Sequence, residues 1–460
     1  VHGPFDALEP RSSDRAPAPP TRAPRSRVSD AVSLPSLDAV FRPRSVAILG
    51  ASNDPTRISG RVLLYLKNAG FTGEIYPVNN KRDTVQDLPA FPSLAACPQV
   101  PDVAIVALAV GHVESAIGEC IAAGVKAAVL FSAGFAEVGD EGTALQARLT
   151  ATARAGGLRL LGPNCLGILN AHNGFAGTFS SAFDGSFPKP GSVAVVAQSG
   201  AYAGHLAYML RERGVDIGYW VSTGNEADID TSECIAWFAA QDDVAVIMAY
   251  AEGVKDGARF IRALRAAHAA RKPVVFMKVG ESQTGAQAAQ SHTASLAGSD
   301  AVYDALFRQY GVYRARTTEE QVDIAYACRQ GIYPKGRRVG IITISGGFGI
   351  QLCDAAERQG LDVAPMPAAA RAELKAFNPL GSPDNPCDVT ASYLNDATLL
   401  TRTFATMYRD GGYESIIGAF TVVLAGIAGT LCGAIAGYFY HLDQPIMRIM
   451  DALMAFPSIV

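Results

Sequence analysis

Short apolar runs alternate with longer amphipathic segments along most of this chain, and this alternation limits the possible folds more than any other feature. The short runs suit buried strands, and the segments between them carry apolar residues at helical spacing. Strands that alternate with helices form a parallel sheet with helices on both faces. The pattern starts near residue 46 and restarts near residues 191 and 338. We therefore expect an α/β protein of three units, because 460 residues are too many for one core.

The third unit is shorter than the first two. In the first two units, strands are predicted at residues 46–50, 74–79, 102–109, 126–132, 158–162, 192–197, 216–222, 244–250 and 273–279. In the third unit, strands are predicted at residues 339–345 and 361–365, and residues 415–420 are the one plausible later strand. We therefore expect the third unit to be truncated.

Charge and cysteine content argue against several classes of protein. The formal net charge is −4 and the isoelectric point is about 6.0, whereas nucleic-acid-binding proteins usually carry a basic excess. The eight cysteines are scattered without a Cys-x-x-Cys pair, which speaks against a disulfide scaffold and a structural zinc site. We predict no metal ligands and a reducing, cytoplasmic environment.

Both ends of the chain differ from its middle. Residues 1–36 are rich in Pro, Arg, Ser and Ala, which indicates a disordered leader, with an amphipathic transit peptide as the alternative. Residues 416–440 carry no charge over 25 positions, and Gly429, Gly433 and Gly437 recur at four-residue spacing. This pattern favours a membrane-type helix over a buried strand followed by a core helix.

The first predicted strand leads into a candidate phosphate-binding loop that begins at Gly50 and includes Ser52. Nucleotides bind where a parallel strand ends and a helix begins. The loop is longer than the dinucleotide fingerprint, and the second strand is followed by Lys81 rather than by an acid. These features favour a phosphorylated ribose, in NADP or coenzyme A, with Arg57 as a further phosphate contact. The alternative is a sheet that binds no ligand.

A second candidate site centres on His292, in a segment of small residues at 282–299. Such a segment packs poorly, and we expect it to move. The imidazole could act as a nucleophile toward phosphorus. Ser199 and Gly200 open a helix whose N-terminus could hold a phosphate, and Glu252 at a strand end could fix the tautomer of the histidine. The alternatives are a histidine without a catalytic role and a solvated strand-end acid.

A series of motifs resembles the NDP-forming acyl-CoA synthetases, relatives of the succinyl-CoA ligase α subunit, over residues 37–420. In chain order the motifs are SVAILGAS (45–52), YPVN (76–79), SAGFAE (132–137), GPNCLG (162–167), AQSG (197–200), GNEAD (224–228), SHTASLAGSD (291–300), SGG (345–347) and NPCD (385–388). The resemblance implies a Rossmann-like coenzyme A-binding domain at 37–170. It also implies a flavodoxin-like domain at 171–333 and a partial second flavodoxin-like domain at 334–420.

The resemblance also implies a reaction and roles for residues. An acyl-CoA, phosphate and ADP would give the carboxylic acid, coenzyme A and ATP through an acyl phosphate and a phosphohistidine at His292. Glu252 would orient and stabilise His292, and Ser199 and Gly200 would hold the phosphoryl group. The residues expected at coenzyme A are Gly50, Ser52, Arg57 and Lys81 at the nucleotide and Asn164 and Cys165 near the thiol. ADP, ATP and Mg²⁺ would be bound only through an ATP-grasp partner, because the chain contains no such domain.

The tail at 421–460 resembles a different family. From Gly426 to Val460 it is similar to the inner-membrane permease of a peptide-type ABC transporter. The ligase resemblance ends near residue 420 before its third unit is complete, and the permease resemblance starts inside that family's pattern. We therefore expect a chimera whose tail could anchor it to the inner membrane. Two alternative functions remain open at this point. The chain could be a non-catalytic coenzyme A-binding regulatory module, or its tail could be a fragment of a permease.

Overall fold

The computed structural model of the protein describes residues 37–282, 284–285, 300–396 and 398–419. The predicted leader at 1–36, His292 and residues 420–440 of the predicted membrane-type helix at 416–440 lie outside these residues. Residues 416–419 belong to a β-strand, so the helix prediction is wrong for them. In the part of the chain that the structure describes, no helix has the length and apolar character needed to cross a bilayer.

The first region of the fold is a five-stranded parallel sheet with its flanking helices. Its elements are α1 (Asp38–Phe41), β1 (Ser45–Leu49), α2 (Ile58–Asn68), β2 (Glu74–Val78), β3 (Thr84–Val85), β4 (Leu88–Pro89), β5 (Val103–Val106), α3 (Val113–Ala123), β6 (Ala127–Leu130), α4 (Asp140–Ala155) and β7 (Arg159–Leu161). The strand order is β2-β1-β5-β6-β7. All of β1 is buried, as expected for a strand covered on both faces. The five strands predicted from the apolar runs are confirmed.

The second region is a seven-stranded sheet of mixed direction. Its elements are β8 (Gly167–Asn170), β9 (Phe175–Thr178), β10 (Val193–Ala197), α5 (Gly200–Glu212), β11 (Ile217–Ser222), α6 (Thr231–Ala239), β12 (Val246–Ala251), α7 (Gly257–Ala269), β13 (Val274–Lys278), α8 (Asp300–Tyr310), β14 (Tyr313–Arg314) and α9 (Thr318–Cys328). The order is β14-β13-β12-β10-β11-β8-β9. The four strands predicted for this unit, β10 to β13, are confirmed and pair in parallel. The apolar runs did not predict β8 and β9, and β8 is antiparallel to both β9 and β11. The turn at 171–174 is too short for the crossover that parallel strands need.

The third region is small. Its elements are β15 (Val339–Thr343), α10 (Gly346–Arg358), α11 (Ala368–Phe377), β16 (Cys387–Asp388), α12 (Thr398–Asp410) and β17 (Ser415–Ala419). Both β16 and β17 pair with β15 in parallel. The predicted strand at 361–365 is wrong, because it contributes only one isolated bridge, between Arg338 and Asp362. The side chain of Asn385 takes the next positions on that edge of β15, accepting from the Ile341 N–H and donating to the Val339 carbonyl.

The first two regions share a core and a buried set of ion pairs. The ring of Phe41 stacks on that of Trp237, with 4.4 Å between the centroids. Arg159, at the start of β7, forms ion pairs with Asp228 at 2.8 Å and with Glu233 at 2.9 Å. Burial alone would raise the pKa of Asp228, but the charge and hydrogen bond of Arg159 hold it below its usual value. These contacts join α1 and the start of β7 to the turn after β11 and to α6.

Candidate active site

A cavity of about 260 Å³ lies where the loop after β7 meets the carboxyl ends of β10, β11 and β12. This edge of a parallel sheet is where α/β proteins usually bind their ligands. The lining residues are Phe131, Asn164, Cys165, Leu166, Phe179, Gln198, Ser199, Gly200, Ala201, Gly224, Asn225 and Glu252. Five predicted site residues from two regions of the chain therefore share one cavity, namely Asn164, Cys165, Ser199, Gly200 and Glu252.

Ser199 and Gly200 form the start of helix α5. The backbone of Ser199 is extended, and its hydroxyl accepts a hydrogen bond from the N–H of Tyr202 at 3.3 Å, so the side chain caps the helix. A Cβ atom on Gly200 would lie 2.5 Å from Cγ of Leu166, which leaves no room for a side chain. The first N–H groups of a helix have no partner within the helix, so this end suits an anion.

Glu252 follows strand β12, and Gln198 holds its backbone in place. Glu252 is 7% exposed. Its N–H donates to Oε1 of Gln198 at 2.7 Å, and Nε2 of Gln198 donates to the Gly253 carbonyl at 2.7 Å. Because Gln198 directly precedes Ser199, one amide side chain joins the position of the Glu252 carboxylate to the start of helix α5.

Asn164 and Cys165 come from the loop after β7 and have different surroundings. Nδ2 of Asn164 donates to Oδ1 of Asn225 at 3.3 Å, which connects the two regions across the cavity. Cys165 is 2% exposed and its thiol donates to the Leu130 carbonyl at 3.3 Å. Burial raises the pKa of Cys165 to about 12. The thiol is therefore neutral near pH 7, and it is a wall of the cavity rather than a nucleophile.

The four residues predicted at the coenzyme A nucleotide lie at the carboxyl edge of the first sheet. Gly50 has φ of +84°, and a Cβ there would lie 2.7 Å from Cδ2 of Leu108. The hydroxyl of Ser52 accepts from the Asp54 N–H at 3.1 Å. Arg57 and Lys81 are exposed. None of the four lines the cavity at Ser199, so the structure places the predicted residues in two groups.

The segment that carries His292 is described only at its two ends. Glu281 and Asp300 both bind Nη2 of Arg314, at 2.7 Å and 2.5 Å. The Arg314 hydrogen bond is the main reason why the pKa of Asp300 lies below its usual value. The distances from His292 to Glu252 and to Ser199 concern atoms outside the described residues, so the role of His292 remains a prediction.

Sequence reasoning assigned no role to Glu226 and Lys255, which lie beside the cavity. Glu226 is 4% exposed and accepts a hydrogen bond from Nε2 of Gln198 at 2.8 Å. Nζ of Lys255 donates to the backbone carbonyls of Asn225 and Glu226. The sequence feature that could have pointed to Glu226 is the motif GNEAD at 224–228, whose polar residues follow an apolar strand. Among the described residues, no group of His, Cys, Asp and Glu could hold a metal ion.

Family models match both of the larger regions. Residues 44–171 match a model described as a CoA binding domain, and residues 190–328 match one described as a succinyl-CoA ligase like flavodoxin domain. These matches agree with the two kinds of domain that the motifs implied.

The chain is also similar to named proteins over most of its length. It is 38% identical over 396 residues to the acetate–CoA ligase (ADP-forming) II subunit alpha of Pyrococcus furiosus, covering 86% of this chain and 84% of the relative. It is 36% identical to the acetate–CoA ligase (ADP-forming) I of Archaeoglobus fulgidus, but covers only 55% of that protein. A solved structure of the dinucleotide forming acetyl-coenzyme A synthetase 1 of Ca. Korarchaeum cryptofilum, in complex with phosphate and ADP, is 32% identical. It has a TM-score of 0.78 and covers 87% of this chain and 86% of that one.

A separate, short similarity concerns a different class of protein. Over 44 residues the chain is 46% identical to a putative peptide transport system permease protein of Brucella suis, which is 10% of this chain and 15% of the relative.

Proposed function

This chain belongs to the family of the alpha subunits of ADP-forming acid–CoA ligases, and we propose that it carries out the acyl transfer and the first phosphoryl transfer of that ligation. The substrates would be an acyl-CoA of a small carboxylic acid and inorganic phosphate. The overall reaction converts acyl-CoA, phosphate and ADP into the carboxylic acid, coenzyme A and ATP, and it is reversible.

The proposed sequence has three steps. A phosphate oxygen adds to the thioester carbonyl, and the thiolate of coenzyme A leaves, which gives an acyl phosphate. A ring nitrogen of neutral His292 then attacks the phosphorus, and the carboxylate leaves. The phosphoryl group on His292 finally passes to ADP. Water must be excluded throughout, because hydrolysis of either phosphorylated species would lose the ATP.

The cavity at the start of α5 is the observation that carries this proposal. The first N–H groups of α5 would bind the phosphoryl oxygens, since they point outward from a capped helix end. Glu252 would accept the second ring N–H of His292 and so fix its tautomer. Asn164 and Cys165 line the same cavity from the other side, where the thiol end of coenzyme A would arrive.

The loop at Gly50 would receive the nucleotide of coenzyme A. Only a glycine fits at position 50, because its φ is positive and Leu108 and the Ala107 carbonyl occupy the place of a Cβ. A bare backbone at the end of a central strand allows a phosphate to approach closely. Ser52 would donate a hydrogen bond to the phosphates, and Arg57 and Lys81 would supply positive charge.

The ADP step requires a further protein in this proposal. The match to the longer Archaeoglobus relative covers 55% of that protein, whereas the match to the Pyrococcus alpha subunit covers 84%. We infer that an ATP-grasp subunit supplies the nucleotide site together with any Mg²⁺. Coenzyme A and ATP are cytoplasmic metabolites, so the assembled enzyme would act in the cytoplasm.

We also infer that residues 426–460 have a separate origin from the ligase chain. The support is the short permease similarity together with the resemblance that breaks off near residue 420. Sequencing of the locus tests this inference, and the expected result is an interrupted permease reading frame beside an ATP-grasp reading frame. An intact permease gene elsewhere and an undisturbed locus would contradict it.

Labelling with an acyl phosphate tests the proposed function. The full chain is mixed with acetyl [³²P]phosphate, and we expect acid-labile label on a histidine. His292→Asn should abolish the label, and Glu252→Gln should slow labelling by about 10²-fold to 10³-fold, as expected for loss of a group that assists a reacting imidazole. His112→Asn changes an exposed histidine of the first region and should label like the wild type.

Two outcomes would contradict the proposal. Label that persists in His292→Asn would exclude the assigned nucleophile. Absence of label from a wild-type chain that still binds coenzyme A would instead favour the non-catalytic regulatory module.

A further inference from the structure

The carboxylate of Glu226, a residue in the turn after β11, accepts hydrogen bonds from four donors. Oε1 accepts from the hydroxyl of Thr223 at 2.9 Å, from the N–H of Thr231 at 2.8 Å and from the hydroxyl of Thr231 at 2.6 Å. Oε2 accepts from Nε2 of Gln198 at 2.8 Å. The backbone of Glu226 is also unusual, because its φ is +52°, a value that residues other than glycine rarely adopt.

These hydrogen bonds suit an ionised carboxylate, since all four partners that the structure gives it are donors. Burial and the negative charge of Asp230 raise the pKa of Glu226 above its usual value, and the hydrogen bonds from Thr231 and Gln198 and the charge of Lys255 offset only part of that rise. A buried charge without hydrogen-bond partners is costly, so this amount of polar structure around one residue calls for an explanation.

Two acceptors set which way the amide of Gln198 faces, namely Oε2 of Glu226 at 2.8 Å and the Gly253 carbonyl at 2.7 Å, which both accept from Nε2 of Gln198. Oε1 of Gln198 then accepts from the N–H of Glu252 at 2.7 Å. If the amide were flipped, two oxygens would face each other at Glu226 and an NH₂ group would face the N–H of Glu252. The carboxyl group of Glu226 is therefore linked to the backbone of Glu252 through a single intervening side chain.

The same turn also contacts the first region of the fold. Nδ2 of Asn225 donates to Oε1 of Gln146 at 3.0 Å and to Oε2 of Glu137. Burial raises the pKa of Glu137, but hydrogen bonds from Asn225 and from the Gly134 N–H hold it below its usual value. The turn at 225–226 thus joins the first region, through Glu137 and helix α4, to the start of α5 and to the end of β12.

We infer that Glu226 is a positioning residue for the proposed phosphoryl transfer, and that it acts through Gln198 to hold Glu252 and the start of helix α5 in register. This inference rests on the proposed function and adds a residue that touches none of the reacting atoms. A displacement of about 1 Å in a group near the reacting atoms can lower a rate by about 100-fold, so the position of Glu252 matters.

Glu226→Gln is the direct test, with the full chain and acetyl [³²P]phosphate as the probe. The new amide must turn its NH₂ group toward either Gln198 or Thr231, so one donor loses its acceptor. We expect the maximal labelling rate to fall about 100-fold. The half-saturating concentration of acetyl phosphate should change by less than about threefold, because the capped start of α5 that binds the phosphate remains.

A double-mutant cycle separates positioning from a general structural role. If Glu226 acts through Gln198, Glu226→Gln should lower the rate by no more than about twofold in a Gln198→Ala background. Glu233→Gln is the matched control, because Glu233 is a largely buried acid of helix α6 that pairs with Arg159 and Arg259. It should reduce stability and leave the maximal rate per folded molecule within about twofold.

Several results would overturn the inference. One is a wild-type rate in Glu226→Gln, and another is a full, multiplicative loss when both substitutions are combined. If Glu226→Gln does not fold, Gln198→Ala alone must still lower the maximal rate, and a wild-type rate there would be decisive. A wild-type chain that takes up no label removes the proposed function and this inference together, whereas the other results leave the proposed function standing.

Discussion

The two ends of the proposed ligand path are built in opposite ways. At the phosphate end, Gln198, Glu226 and Glu252 are each at most 7% exposed and are joined by hydrogen bonds. At the nucleotide end, the side chain of Arg57 is 75% exposed and Lys81 is also exposed. A buried network keeps its geometry before any ligand binds, whereas exposed charges attract a ligand and tolerate movement.

This contrast separates two kinds of demand on the protein. Phosphoryl transfer needs groups held close to one geometry, and that requires packing and paired polar atoms. Recognition of a nucleotide phosphate needs mainly charge and accessible N–H groups. Substitutions at the phosphate end should therefore change the maximal rate, and substitutions at the nucleotide end should change affinity.

Gly200→Ala should give the largest effect that tests this contrast. The new Cβ would lie 2.5 Å from Cγ of Leu166, so helix α5 or the loop after β7 must move. We expect the maximal rate of labelling by acetyl [³²P]phosphate to fall about 100-fold and the free energy of unfolding to drop by about 1–3 kcal/mol. Single-turnover labelling and urea denaturation measure the two quantities.

Gly257→Ala is the matched control for that experiment. Gly257 is the first residue of helix α7, as Gly200 is of α5, but a Cβ there would meet no atom within 4 Å. We expect unchanged labelling and a small gain in stability. Equal losses in the two variants would mean that any alanine at a helix start disturbs this chain, and the contrast would fail.

Much of the fold could be predicted because parallel strands carry a strong apolar signal. The five strands of the first sheet and the strands at Val193–Ala197 and Val274–Lys278 all lie where the apolar runs placed them. The errors arose where a partner outside the local sequence decides the pairing. The edge of β15 is an example, because Asn385 takes the hydrogen bonds that the segment at 361–365 would need.

The candidate site was predicted unevenly for the same reason. Ser199, Gly200 and Glu252 follow apolar strands, so their place at the sheet edge could be inferred from the sequence. The role of Glu226 could not, because it depends on which atoms of Gln198 face it. The burial of Cys165 depends likewise on packing against β6, and no local pattern reports that packing.

The double substitution Arg57→Ala and Lys81→Ala should give a smaller effect, confined to affinity. Both side chains are exposed, so salt screens their attraction for phosphate and each contributes modestly. We expect the dissociation constant for coenzyme A, measured by calorimetry at low salt, to rise about tenfold and to converge with the wild-type value at high salt.

Arg82→Ala is the control, because Arg82 is an exposed neighbour with no assigned role. This variant should bind coenzyme A with the wild-type dissociation constant. A reduced rate of phosphoryl transfer in the double variant would mean that the two ends are coupled.

Substitution of Cys165 should give the smallest effect, and its reactivity tests whether the phosphate end is closed to solvent. Its thiol lines the cavity, but its pKa of about 12 keeps it protonated at pH 8, where a thiolate would be needed for reaction. In the folded chain at pH 8 we therefore expect mass spectrometry to find Cys165 unmodified by iodoacetamide, whereas the chain unfolded in urea should react.

Cys165→Ala should lower the free energy of unfolding by about 1 kcal/mol, through loss of packing and of the hydrogen bond to the Leu130 carbonyl, and leave the labelling rate within about twofold. Rapid alkylation of Cys165 in the folded chain would mean that the phosphate end opens to solvent in the absence of ligand. The network of Gln198, Glu226 and Glu252 would then not be rigid, and its rigidity could not explain why substitutions at the phosphate end change the rate rather than the affinity.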